Sequence, residues 1–224
     1  MTKKNEVQTF MIIPKLHYIS QGASPAAHLE NIQKACTSGI ELVRLRLPNV
    51  SEKKFLKIAR EAREITAHFQ TRLLLDEHYK VAKTIKADGV HLENGTVSPT
   101  LVRKDLYSWQ MLGVSANTLQ ECEQLLTESV DYICLEPFRS SEKTAETATT
   151  LGLDGYTLIT EALASQTPIL AFGGITTDDI APLLKAGVAG VVVDDPITTD
   201  FNSIRKINEL LNASVTKEQR HSFK

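Results

Sequence analysis

Apolar and amphipathic runs alternate along almost the whole chain, and the period of each run sets the element expected there. Between Ser51 and Phe69 the apolar residues Phe55, Ile58, Ala59, Ala62, Ile65 and Phe69 recur mostly at steps of three or four. That spacing gathers them on one helix face, with Ser51 ahead of it as the N-cap. Shorter apolar runs bounded by turn residues predict buried strands at 16–20, 42–47, 72–75, 89–92, 111–115, 132–135, 168–172 and 187–193. Helical periodicity follows each of them, at 25–37, 51–69, 78–85, 98–106, 119–127, 158–164, 177–186 and 203–211.

Eight strand–helix pairs in strict alternation require parallel strands joined by helical crossovers, the α/β class. In about 200 residues they match a single small (β/α)8 TIM barrel. An open doubly wound sheet has the same alternation. No G-x-G-x-x-G follows the first strand, however, so a dinucleotide-binding sheet loses its main support. The expected layout is an N-terminal arm at 1–14, one barrel at 15–213 and a polar tail at 214–224, with no Gly-, Pro- or Ser-rich linker inside.

Composition narrows the function classes. The 224 residues are 42% hydrophobic and carry a formal net charge of −2, so nothing points to a broad basic surface for nucleic acid. No apolar run approaches the roughly 18–20 residues of a membrane span, and the N-terminal apolar stretch is short for a secretory leader. Cys36, Cys122 and Cys134 have neither metal-type spacing nor an even count, which suits reduced thiols in a cytoplasmic protein.

In such barrels the chemistry sits on loops at the C-terminal strand ends. Those ends offer Arg44 and Arg46, then Asp76, Glu77 and His78, then His91, Glu93 and Asn94. Further along come Ser115 and Asn117, Glu136 with Arg139, Ser140, Ser141 and Lys143, then Gly173-Gly174 and Asp194-Asp195. Gly173-Gly174 lets backbone amides approach a ligand closely, so a phosphate is expected there; the plainer reading is a tight turn capped by Thr176 or Thr177. Asp195-Pro196 reads as a helix start with an Asp N-cap, a carboxylate that competes with a phosphate for the same amides. Arg44 and Arg46 face the same way and demand an anionic partner, either Asp76 or Glu77 within the fold or an anionic substrate. Asp76-Glu77 as a cation site competes with the commoner use of paired acids at helix starts. His91 and His17 lie in apolar runs, where a satisfied core histidine is the plainer reading. Glu136 is a candidate base, or a partner for Arg44.

Six segments in order resemble the thiamine phosphate synthase/TenI superfamily: GIELVRLRLP, LLLDEHYKVAKTIKADGVHLENGTVSP, LGVSANTLQECE, DYICLEPFRSSEK, PILAFGGITTDDIAPLLKAGVAGVVV and DDPI. The resemblance spans about residues 15–211. It implies small phosphorylated thiazole and pyrimidine ligands as partners, without nucleic acid or membrane, and a homodimer.

The synthase joins a pyrimidine diphosphate to a thiazole phosphate with Mg²⁺ and releases pyrophosphate. Its strand-two Gln-x-Arg-x-Lys falls on Arg44, Arg46 and Pro48, and its Asn-Asp pair on Asp76-Glu77, leaving Glu77 for the metal. Its second metal carboxylate falls near Thr96, its Gly-Pro on Glu136-Pro137, and its Thr-x-Thr-Lys loop is reduced to Ser141 and Lys143. The TenI branch, which LHYIS and NGTVSPTLVRKDL resemble more closely, isomerises a thiazole carboxylate phosphate without metal. Its acid/base histidine falls on Asn117, which cannot titrate, leaving Glu136, His17 or His78 for that role.

Three readings follow. The first is a tautomerase without cofactor or a divergent Mg²⁺-dependent synthase. In it Arg44, Arg46, Asp76, Ser115, Ser141 and Lys143 bind substrate; Gly173, Gly174 and Asp195 meet the phosphate; and Glu136, His17 and Asn117 stand at the reacting centre. The second is a catalytically degenerate barrel kept as a binding or partner protein. The third uses Lys143 as the amine of another barrel isomerase or aldolase, against which the polar surroundings SSEKTAET argue.

Overall fold

Leucine- and valine-rich runs such as RLLLD, YICL and GVVV are buried on both faces, as strands of an all-parallel sheet must be. A computed structural model describes residues 11–140 and 150–221, with side chains through residue 212. The strands are β1 (Leu16–Ile19), β2 (Leu42–Leu45), β3 (Arg72–Asp76), β4 (Gly89–Leu92), β5 (Met111–Ala116), β6 (Tyr132–Leu135), β7 (Ile169–Ala171) and β8 (Gly190–Val193). They close in sequence order, with β1 pairing to both β2 and β8, so the eight-stranded parallel barrel is complete. The outer layer is α1 (Pro25–Thr37), α2 (Glu52–His68), α3 (Tyr79–Ile85), α4 (Pro99–Asp105), α5 (Leu119–Leu126), α6 (Gly152–Leu163), α7 (Ile180–Lys185), α8 (Asp195–Thr199) and α9 (Ser203–His221).

Alternation along each strand divides the core in two. Val43, Leu73, Leu75, Val90 and Ile133 face the helices, where Phe55, Ile58, Ala59 and Ala62 of α2 meet them. Full burial of Phe55 is worth about 2–3 kcal/mol. Leu42, Leu74, Met111, Tyr132, Cys134, Leu170 and Val192 fill the barrel interior, and Met11 and Ile13 close it from below. Among these apolar layers sit the polar side chains His17, Arg44, Asp76, His91 and Ser115, all buried.

Four local expectations are revised. Ser51 occupies the N-cap position of α2 with extended backbone, but its hydroxyl makes no cap bond, whereas Ser24 caps α1 through Ala27 N at 3.2 Å. Helix α6 starts at Gly152 rather than 158, and its buried residues are Tyr156 and Ile159, while Leu158 is 67% exposed. Strand β8 starts at Gly190, because Gly187 turns at φ 91°. Helix α9 runs through His221, into the segment expected as a polar tail.

Candidate active site

The C-terminal strand ends open into a cavity of about 850 Å³. Ser20 and His28 line it after β1, Arg46 after β2, Glu93 after β4, Asn117 after β5 and Glu136 after β6. Phe172, Gly173, Gly174, Asp194 and Asp195 line the side made by β7 and β8.

Beneath that floor runs a ladder of charge. Arg44 donates through Nε to Asp76 Oδ1 and through Nη2 to Oδ2, both at 3.0 Å. Arg46 donates to Asp76 Oδ2 at 2.8 Å and to Glu93 Oε1 at 2.7 Å. The strand register explains the choice of partner. Arg44 stands opposite Leu74, placing its fork level with Asp76 two residues on, whereas Glu77 lies past the strand end at φ 66°. Burial pushes the Asp76 carboxyl up, but Arg44 and then Arg46 outweigh it and hold it well below the usual carboxylate range. Asp76 therefore serves the fold, under the cavity rather than in it, and Arg46 is the residue of the pair that reaches the cavity. Arg44 Nη1 has no hydrogen-bond partner.

Glu136 stands above this ladder, partly buried and facing the cavity. Burial raises its pKa above the ordinary value; a hydrogen bond with the Ser115 hydroxyl and the charges of Arg44 and Arg46 oppose that rise, and Glu93 adds to it. Asn117 lies beside it, donating from Nδ2 to the Glu136 carbonyl at 2.8 Å, with its own N–H on Glu121 at 2.6 Å. Asn117 thus orients the Glu136 backbone. Its amide does not titrate and so supplies no acid or base.

Gly173 and Gly174 have φ of 103° and 65°. A Cβ on Gly173 would come within 3.1 Å of Pro137 and Phe138 backbone atoms, so the turn demands glycine and brings its backbone to the cavity edge. The turn is braced from outside by Arg139, which donates to Gly174 O at 3.1 Å and forks onto Asp179 at 2.5 and 2.6 Å. Asp179 and Thr176 complete a reciprocal capping box, so the cap expected of Thr176 or Thr177 belongs to Thr176. One correction concerns β8. Asp194 holds the N-cap position of α8 and makes no side-chain cap bond, and Asp195 is the first helical residue.

Other expected site residues lie elsewhere. His17 is fully buried in the barrel interior, edge-on to Tyr132 at 5.0 Å, with both ring nitrogens unpaired. Desolvation pulls its pKa down to about 3, so it is a neutral core histidine outside the cavity. His78 stacks on Phe55 at 3.7 Å. His91 hydrogen-bonds Tyr132 and Ser115 within the barrel. Glu77 accepts the Glu93 N–H at 2.5 Å and a hydrogen bond from Thr96. Ser141 and Lys143 lie outside the described residues.

His28 was not foreseen. It lies on α1, buried, with Nδ1 2.9 Å from Ser20 Oγ, and burial lowers its pKa. The signal was Gly22, where a Cβ would meet the His28 backbone N at 2.7 Å, so this glycine lets the loop after β1 fold onto the start of α1.

The described residues do not suit a divalent cation. Asp76 is saturated by two guanidiniums and Glu77 is turned onto backbone N–H and hydroxyl. Among the described residues no three His, Cys, Asp or Glu side chains gather as ligands. The described lining sets one arginine, Arg46, against Glu93, Glu136, Asp194 and Asp195. Among the described residues no helix is long and apolar enough to cross a membrane.

Comparison with known proteins gives a consistent picture. The family described as thiamine monophosphate synthase matches residues 16–197. A thiamine-phosphate synthase of Flavobacterium johnsoniae is 31% identical over 207 residues, 90% of this chain and 98% of that relative. Its counterpart in Flavobacterium psychrophilum is 30% identical over 199 residues, 88% of this chain and 97% of the relative. A thiamine phosphate pyrophosphorylase from Pyrococcus furiosus superposes with a TM-score of 0.74 at 23% identity, covering 91% of this chain and 96% of that one, and shares the fold.

Proposed function

The chain belongs to the thiamine monophosphate synthase family, and on that premise we propose that it works by proton transfer on a thiazole carboxylate phosphate, the TenI-type isomerisation, rather than by metal-assisted condensation. One observation carries this reading: Glu136 is a cavity carboxyl whose pKa is raised toward the working pH, the property a general acid/base needs. Its carboxylate takes the proton from a ring carbon while the C–H electron pair enters the conjugated system. The carboxylic acid so formed returns the proton to another atom of that system, giving the aromatic isomer. Nothing is consumed, and no cation takes part, in keeping with the commitment of Asp76 and Glu77 to other partners.

The substrate phosphate rests against the Gly173-Gly174 backbone, and Arg46 faces its carboxylate. Asp195 stands on the same wall and repels a dianion, so Asp195→Ser is expected to tighten binding of the thiazole phosphate by roughly tenfold, read by calorimetry. Unchanged affinity removes Asp195 from the phosphate site.

A second reading, a catalytically degenerate barrel kept as a binding or partner protein that takes neither family substrate, is favoured by the surplus of carboxylates over Arg46 in the described lining. Calorimetric titration with the thiazole carboxylate phosphate, with Mg²⁺ and then with EDTA, separates the two. Equal dissociation constants on the order of micromolar in both conditions support the isomerase. Absence of heat at millimolar ligand from folded protein contradicts it.

A further inference from the structure

We propose that His91 and Tyr132 are positioning residues that fix the direction of the Ser115 hydroxyl, so that its proton points at Glu136. This rests on the reading of Glu136 as the acid/base, and extends it to two residues that touch no substrate.

Four side chains from three strands form one hydrogen-bonded line through the barrel. The Tyr132 hydroxyl lies 2.9 Å from His91 Nδ1, His91 Nε2 lies 3.0 Å from Ser115 Oγ, and the Ser115 hydroxyl bonds to Glu136. The first three are buried, so no solvent competes for these bonds, and only Glu136 reaches the cavity. Gly113 makes room for the line: a Cβ there would run into the Tyr132 ring.

Such a line has a direction. Burial keeps the Tyr132 phenol protonated and the His91 imidazole neutral. The Tyr132 hydroxyl has His91 as its hydrogen-bond partner. When the phenol donates to Nδ1, the ring proton sits on Nε2 and is donated to Ser115 Oγ, and the Ser115 proton goes to Glu136. Every buried donor is then satisfied. In the reverse direction the Tyr132 proton has no acceptor, a penalty that an interior site does not relieve. The line therefore favours the Glu136 carboxylate and opposes its burial and the charge of Glu93 on β4. Arg44 and Arg46 on β2 act in the same sense as Ser115. Cys134 on β6 and Tyr156 on α6 lie within reach of the Glu136 charge, and Asp194, Asp195 and His28 line the cavity around it.

The test uses the full-length protein and needs no turnover, so its failure is separate from failure of the isomerase reading. Nitrogen NMR of labelled histidine reads the His91 tautomer, and carbon NMR of labelled glutamate, assigned through Glu136→Gln, follows the Glu136 titration. The wild type is expected to carry the His91 proton on Nε2 from about pH 5 to pH 8. Tyr132→Phe removes the phenol that the reverse direction leaves unpaired but leaves Nδ1 without a partner in either tautomer, so it is expected to weaken the preference for the Nε2–H form and raise the Glu136 midpoint by up to about one pH unit. A wild-type proton on Nδ1 overturns the proposal without any variant. An unmoved Glu136 midpoint in folded Tyr132→Phe overturns it as well.

Discussion

Replacing Glu136 by glutamine is expected to lower kcat for thiazole isomerisation by about 10²–10⁴-fold with little change in KM, the size of effect usual for loss of a positioned acid/base. The amide keeps the shape and the place beside Ser115 but neither takes nor returns a proton. Stability should not fall with activity. The Glu136 carboxyl has a raised pKa in the folded state, so folding favours its protonated form. That contribution is complete below the unfolded value near pH 4.3 and is lost as pH rises through the folded value. At neutral pH the neutral glutamine escapes this loss, and Glu136→Gln is expected to melt at or slightly above the wild-type temperature. A steady-state assay with thermal melts decides it. Near wild-type kcat removes Glu136 from the chemistry.

The second large effect concerns the fold. Asp76→Ala leaves Arg44, 0% exposed, without its carboxylate inside the barrel. Breaking a buried pair by removing one partner costs about 3–5 kcal/mol, a fall in Tm of roughly 10 °C for a domain this size. Removing both charges together, as Arg44→Met with Asp76→Leu, is expected to recover most of that loss, because the penalty lies in the stranded guanidinium. The pH dependence has a definite sign. The Asp76 carboxyl is held far below its unfolded value of about 3.9, so its contribution is present above about pH 4 and fades only as the medium becomes more acid. Melting curves of the three proteins should keep a constant separation from about pH 8 to pH 5; below about pH 4 the wild type should fall toward Asp76→Ala, while the double variant, which carries neither charge, should not. A single variant as stable as the double variant would contradict the assignment of Asp76 as the structural counter-ion.

The barrel was legible because each strand reads as a short run of apolar residues and each helix as a face, with few residues between. Where the reading failed, local signals were misleading. LGLDG looks like a turn, yet Gly152 and Gly155 lie within the first turns of α6, where burial of Tyr156 and Ile159 sustains the helix against glycine's cost. The demand of Arg44 for an anion was readable from spacing, but the choice of Asp76 over Glu77 depended on which residue still belonged to the strand. Strand ends offered Glu136, Asn117, Arg46 and the glycine pair, and all of them line the cavity. His28 escaped because it reaches the cavity from a helix rather than a strand end. The line from Tyr132 to Glu136 joins β4, β5 and β6 across the interior, a relation that appears only once the barrel closes.

The central claim is that this barrel moves a proton on a thiazole ring without a metal ion. The direct measurement follows the thiazole carboxylate phosphate by proton NMR with EDTA-treated protein. Conversion to the aromatic isomer is expected at a rate unchanged by added Mg²⁺ and lowered about 10²–10⁴-fold in Glu136→Gln. Conversion that requires Mg²⁺ together with a pyrimidine diphosphate, or no conversion by folded protein, would contradict it.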